Sequence, residues 1–95
     1  MNEKWHTRYF ISYSGVKLPL NLVNPIESID NRNTFFRAHY DANERMVLCE
    51  KVVYGEVEIS HQYQYYPDGT LKSAAITDEE GEVQALNFDT TGQRI

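Results

Sequence analysis

The sequence EVEISHQYQYY occupies residues 56–66 and decides the fold class, because apolar and polar side chains alternate along it without a break. One side of this alternation carries the apolar residues Val57, Ile59, Tyr63 and Tyr65, with His61 among them. A period of two is typical of a β-strand with one buried face and one face in water. We therefore predict a strand in which the apolar set lies in the core. The residues predicted to stay exposed are Glu58, Gln62 and Gln64.

Similar short segments fill most of the chain on either side, and no window holds a helical period over the length of an ordinary helix. The predicted strands cover residues 7–13, 16–22, 34–40, 45–54, 56–66, 70–77 and 82–88, with a stub from Gln93. Short polar loops between successive strands favour antiparallel pairing. We predict one all-β domain, residues 1–95, in which about seven to eight short antiparallel strands form a meander. The meander is either a curved sheet or a small open barrel.

Two prolines bear on how the first part of the chain folds. Pro19 lies on the opposite face of segment 16–22 from its leucines and has no N–H to donate, which predicts a strand at an edge or with a bulge. Asn24-Pro25-Ile26-Glu27 places a capping residue before a proline, with a glutamate three residues after the cap. This pattern is typical of a helix start, so we predict one short helical turn near residues 25–30.

Residues 40–46, 65–71 and 77–83 form a weak internal repeat, in which an aromatic residue or threonine precedes a polar turn, a fifth-place glycine and an apolar residue. Glu44 replaces the glycine in the first copy, and residues 88–92 begin a fourth copy. These motifs resemble the tyrosine-aspartate (YD) hairpin repeats of bacterial RHS-type proteins and, more loosely, MORN hairpins. The resemblance covers residues 40–95 at best and implies a hairpin meander without any shell or toxin role. We predict positive φ at Gly69 and Gly81, which close two of these turns.

A second resemblance concerns the segment YFISYSGVKLPL, residues 9–20. It is similar to the start of a family of small bacterial proteins of unknown function. This resemblance implies no activity.

The residue types that carry chemistry do not form a catalytic or metal-binding pattern. Cys49 is the single cysteine, and no histidine can be placed beside it to activate the thiol. His6, His39 and His61 lack the spacing of zinc ligands, and the five glycines stand alone in turns. We therefore expect no enzymatic activity, no metal and no cofactor.

Charge is distributed unevenly along the chain, which has a net charge of −5. Residues 1–40 carry a net charge of +2, and residues 41–95 carry −7. Because nucleic-acid affinity depends on lysine and arginine neutralising phosphates, direct binding to nucleic acid is disfavoured and a basic partner surface is favoured. No apolar run approaches a membrane span or the core of a signal peptide. We expect a bacterial cytoplasmic protein that does not bind membranes.

Tyrosine is the unusual component, with seven copies in 95 residues. Its apolar ring and polar tip suit recognition surfaces. Our leading hypothesis is a non-catalytic accessory or adaptor protein that binds another protein, or a second copy of itself, through a tyrosine-bearing sheet face or a free edge strand. The expected contacts are Tyr9, Tyr13, Tyr54, Tyr66 and the segment from Glu82 to Phe88.

Two alternative functions stay open at this point. The first is a small-ligand carrier with a pocket lined by His61, Tyr63 and Tyr65. The second is an acidic inhibitor that mimics nucleic acid.

Overall fold

The structure is a computed structural model that describes residues 5–95. It contains seven strands: β1 (His6–Ser14), β2 (Asn21–Ile26), β3 (Thr34–Tyr40), β4 (Met46–Val53), β5 (Glu56–Tyr65), β6 (Leu71–Thr77) and β7 (Val83–Asn87). All pairs are antiparallel, and the strands form one sheet in the order β2-β1-β3-β4-β5-β6-β7. The predicted all-β meander is therefore confirmed. The sheet stays open, with β2 and β7 at its edges, and does not close into a barrel.

The predicted helical turn near residues 25–30 is wrong. Within residues 5–95 there is also no helix long and apolar enough to cross a membrane. Pro25 instead lies in β2 opposite Phe10. Asn24 has a φ of 60°, which is outside the helical region, so the capping pattern marks a kink in an edge strand. An edge is also where a proline is tolerated in a sheet.

The second strand begins five residues later than predicted, at Asn21 instead of Val16. Residues 15–20, which we call the β1–β2 connection, leave the sheet and cross its core face. Leu18 and Leu20 pack against the core, whereas Val16 is 95% exposed. The second strand does lie at a sheet edge as predicted, but Pro19 lies in the connection that precedes it.

The main core cluster lies on one face of the sheet, whereas Phe35 and Val52, which lie opposite each other in β3 and β4, are buried on the other face. Register places Phe10 opposite Phe36, Ala38 opposite Cys49, and Tyr63 opposite Ala74. The small residues Ala38, Cys49 and Ala74 are almost completely buried, at 0%, 2% and 1% exposure. Their size leaves room for the β1–β2 connection to pack its leucines on this face, which completes a core that a single sheet cannot enclose.

The predicted burial of β5 is correct at one end of the strand and wrong at the other. Tyr63 is 3% exposed, but Val57 and Ile59 are 42% and 36% exposed. A bulge at Glu58 moves Val57 off the core face, because Ile59 lies opposite Lys51 while Val57 lies opposite Val52. Ile59 stays on the core face, where it lines an open cavity. Since Lys51 and Val52 point to opposite faces, the extra residue also places Val57 and Ile59 on opposite faces.

Four hairpin loops share one structure, at residues 41–45, 66–70, 78–82 and 89–93. In each loop the first N–H donates to the fifth carbonyl, and the fourth N–H donates to the first carbonyl. The fourth residue has positive φ in every case, including Glu44 at 61°, and the predictions for Gly69 and Gly81 are confirmed. Asp41, Asp78 and Asp89 each accept two further loop N–H groups at Oδ1. The internal repeat is therefore a repeat of loop geometry.

Candidate protein-binding surface and ligand cavity

The four tyrosines expected at a partner surface lie in separate places. Tyr54 is 76% exposed at the turn between β4 and β5, and Tyr66 lies beyond the opposite end of β5. The Tyr66 hydroxyl donates to the Phe88 carbonyl at 2.7 Å, so this ring ties the β5–β6 loop to the end of β7. Tyr9 and Tyr13 pack edge-on against Phe35 and Phe36. Only Tyr54 is free to present its whole ring to a partner.

Tyr54 lines an open groove of about 490 Å³, which we call the acidic groove. Its lining residues are Val53, Tyr54, Glu56, Val57, Glu58, Glu79 and Glu80. Glu58 forms an ion pair with Lys51 at 3.1 Å, and the other three carboxylates have no ion-pair partner within residues 5–95. The groove therefore combines an exposed aromatic ring and an apolar valine with uncompensated negative charge. Sequence reasoning did not bring Glu56 and Glu79 together, because they belong to different hairpins.

The edge strand β7 begins beside the acidic groove, directly after the 78–82 loop. The bonds from Phe88 N to Lys72 O and from Asp78 N to Glu82 O show which residues of β7 direct their backbone N–H and C=O groups toward β6. Gln84 and Leu86 consequently turn their backbone groups toward β6, and Val83 and Ala85 turn theirs outward. Asn87 O accepts the N–H of Ile95, so the C-terminal turn covers the far end of this edge. Residues 83–85 stay open, and Val83 is 63% exposed.

The opposite edge of the sheet differs from β7 in its backbone. β2 contains Pro25, which has no N–H, and Asn24 with a φ of 60° interrupts the extended conformation. These two features prevent a regular ladder from continuing outward. β7 has the sequence VQALN, which contains neither proline nor a charged residue. Of the two edges, β7 is therefore the one suited to accept another strand.

The three residues expected to line a ligand pocket do not share one cavity in the structure, and Tyr63 and Tyr65 do not line the cavity that His61 lines. His61 lines a cavity of about 170 Å³ on the core face, and the other lining residues are Tyr13, Leu20, Phe36, Cys49, Lys51 and Ile59. Tyr63 lies next to His61 and bonds to its Nδ1 at 2.7 Å. The Tyr65 hydroxyl donates to the Met46 carbonyl at 2.6 Å, outside this cavity. Burial raises the pKa of Tyr65 to about 12 and also raises that of Tyr63, so both phenols keep their protons at neutral pH.

Cys49 lies in the wall of this cavity with its thiol in the protonated form. Burial, with a smaller effect from the neighbouring Glu50 carboxylate, raises the pKa of Cys49 to about 12. A thiol in this state is a weak nucleophile and a weak metal ligand. Within residues 5–95 no group of three or more His, Cys, Asp or Glu side chains could hold a metal ion.

A family model matches residues 2–95, which is nearly the whole chain. The chain belongs to this family. It is described as a family of unknown function, DUF6156. A search of curated proteins and a search of solved structures both find no match. Neither search supports the resemblance to YD or MORN repeats.

Sequence reasoning missed most of the cavity lining in this DUF6156 chain. Leu20 and Phe36 are far apart in sequence and meet because the β1–β2 connection crosses the core face. The spacing of Leu18, Leu20 and Leu22 was a usable signal, since it placed an apolar row near the core. It did not indicate that this row would leave the sheet and form one wall of a cavity.

Proposed function

We propose that the chain is a non-catalytic adaptor of the bacterial cytoplasm whose acidic groove and β7 edge bind a basic, extended segment of another protein. The observation that carries this proposal is the exposed Tyr54 in a groove lined by four glutamates, two of which belong to the 78–82 loop that leads into the open backbone of residues 83–85. A partner strand added to β7 gains main-chain hydrogen bonds. Its lysine or arginine side chains form ion pairs with the three unpaired carboxylates of the groove.

The charge of the chain also supports a basic partner. Residues 41–95 carry −7, and the 78–82 loop contributes Asp78, Glu79, Glu80 and Glu82 beside the open edge. Mimicry of nucleic acid would need carboxylates spaced along a surface, whereas this groove gathers four glutamates at one end of the sheet. We therefore propose that a protein segment binds there.

The charge requirement is tested by affinity capture of the tagged protein from its native cell, with the captured proteins compared between variants. Glu79→Lys combined with Glu80→Lys should abolish capture of the partner. The matched control is Glu44→Lys combined with Asp68→Lys, which changes the net charge equally on exposed loops at the opposite end of the sheet from the groove. Equal capture by both double variants would show that the groove does not bind the partner.

The edge requirement is tested separately with Ala85→Pro, which removes an outward N–H and keeps the bonds to β6. Ala42→Pro is the matched control, because residue 42 has the same place in its loop as Pro67 has in the 66–70 loop. Ala85→Pro should reduce capture and Ala42→Pro should not. If Ala85→Pro captures the partner as well as the wild type does, strand addition at β7 is wrong.

A further inference from the structure

The cavity on the core face is lined mostly by apolar and aromatic side chains, together with His61 and Lys51. Lys51 lies opposite Ile59 and Cys49 lies opposite His61, so these four side chains leave the same face of two neighbouring strands. Leu20 of the β1–β2 connection and Phe36 of β3 supply further apolar walls. The cavity is separate from the acidic groove and shares no lining residue with it.

The hydrogen-bond network assigns the tautomer of His61. Leu20 N–H donates to the Tyr63 hydroxyl oxygen at 3.2 Å, and the phenol hydrogen has no acceptor within residues 5–95 other than His61 Nδ1, at 2.7 Å. Nδ1 therefore accepts a hydrogen bond. Burial lowers the pKa of His61 from its ordinary 6.5, so the ring is neutral at pH 7 and carries its hydrogen on Nε2.

His61 Nε2 has no hydrogen-bond partner in the described part of the chain. Every fully buried side-chain nitrogen there has a partner, so Nε2 is not fully buried. Nε2 is therefore accessible, and the space that His61 lines is the cavity. Lys51 also lines the cavity, and its ammonium pairs at 3.1 Å with Glu58 of the acidic groove, on a side chain that is 36% exposed. The cavity thus offers one N–H donor and one cation to an incoming ligand.

We propose that this cavity binds a small monocyclic carboxylate, with the ring among Leu20, Phe36 and Ile59 and the carboxylate between His61 Nε2–H and Lys51. The volume of about 170 Å³ sets the size, because apolar cavities of about 150 Å³ accept a benzene ring. The two donors set the charge, since both stabilise an anionic oxygen and neither accepts a hydrogen bond. The protonated thiol of Cys49 contributes apolar surface and does not react with the ligand.

Benzoate is the test ligand, and ¹H–¹⁵N correlation spectra are the measurement. Benzoate should produce saturable shifts centred on Leu20, Ile59 and His61, and acetate should not. Ile59→Trp fills the cavity and should abolish the shifts. Gln62→Trp is the matched control, because Gln62 is exposed on the same strand but lies on the opposite face from His61 and should leave binding intact.

Lys51→Met tests the carboxylate requirement and should weaken benzoate binding about tenfold, as expected for loss of a charged hydrogen-bond donor. Benzyl alcohol should bind more weakly than benzoate to the wild type. Shifts that do not saturate, or that persist in Ile59→Trp, would overturn the site. Equal affinity for benzyl alcohol and benzoate would overturn the assignment of a carboxylate.

Discussion

The four repeated hairpin loops and the β1–β2 connection are two different ways of reversing the chain. Each repeated loop is held by hydrogen bonds between its own residues, such as those that the amides of Glu80 and Glu82 donate to Asp78 Oδ1. The β1–β2 connection is held from outside, by the packing of Leu18 and Leu20 on the core and by the bond from Leu20 N–H to the Tyr63 hydroxyl. The first kind of turn is locally encoded. The second kind forms only once the sheet exists, so its stability depends on residues that are distant in sequence.

The largest expected effect is at Tyr63, which anchors the connection and lies in the core. Tyr63→Ala should lower the free energy of unfolding by about 3 to 5 kcal/mol, as truncation of a buried aromatic side chain does. Tyr54→Ala, at a ring that is 76% exposed, should change it by less than about 0.5 kcal/mol. Urea denaturation of both variants is the measurement. Similar midpoints for the two would contradict the burial assigned to β5.

In a repeated loop, the expected cost of a substitution comes from the backbone alone. Gly81 has a φ of 86°, and a Cβ there would meet nothing within 4 Å. Gly81→Val should therefore destabilise by about 1 to 3 kcal/mol through backbone strain without any clash. Glu80→Val, one residue earlier, is the control and should cost less than about 0.5 kcal/mol. Equal melting temperatures for the two variants would show that the loop tolerates a branched residue at its fourth place.

Removal of a single oxygen tests whether the connection is held from outside. Tyr63→Phe should cost about 1 kcal/mol, because it deletes the acceptor of Leu20 N–H and the donor to His61 Nδ1. Hydrogen exchange at the Leu20 amide should accelerate, and exchange at the Glu82 amide in the 78–82 loop should not change. Parallel acceleration of both amides would indicate global loosening and would remove the distinction between the two kinds of turn.

Glu44 offers a smaller test, because it is the one non-glycine residue at the fourth place of a repeated loop. Glu44→Gly removes strain at a φ of 61°, but it increases the entropy of the unfolded chain and deletes exposed ion pairs with His6 and Arg8. We expect a net gain of about 0.5 kcal/mol in thermal or urea denaturation. A loss of stability would mean that the ion pairs and the added entropy of the unfolded chain together outweigh the backbone strain.

The pH dependence of stability tests the network below the connection. Burial lowers the pKa of folded His61 below 6.5, so below that pH the unfolded chain binds a proton that the folded chain resists. The stability contributed by this histidine is present above pH 6.5 and declines as the pH falls toward the folded pKa. The difference in unfolding free energy between wild type and His61→Gln should therefore be larger at about pH 8 than at about pH 5. A constant difference would contradict a neutral His61 in the folded state.

Prediction from sequence succeeded where local rules suffice and failed where a bulge or a distant contact intervenes. The strands β3 to β7 were placed within a few residues, because period-two patterns and turn residues are local signals. Val57 was placed on the wrong face because the bulge at Glu58 interrupts the strand without interrupting the pattern of the sequence. The candidate sites were predicted least well. The acidic groove and the cavity each join residues of different hairpins, and a single sequence carries no signal for that proximity.

The amino-acid sequence by itself determined the all-β class, the succession of hairpins and the positive φ at Gly69 and Gly81, because each depends on residues that are neighbours in the chain. Only the tertiary structure decided that residues 15–20 cross the core face, that Asn24 and Pro25 kink an edge strand, and that β7 keeps an open edge. The physical reason is that these features depend on apolar packing and hydrogen bonds between residues far apart in sequence. The bond between Leu20 and Tyr63, which are 43 residues apart, is the clearest instance.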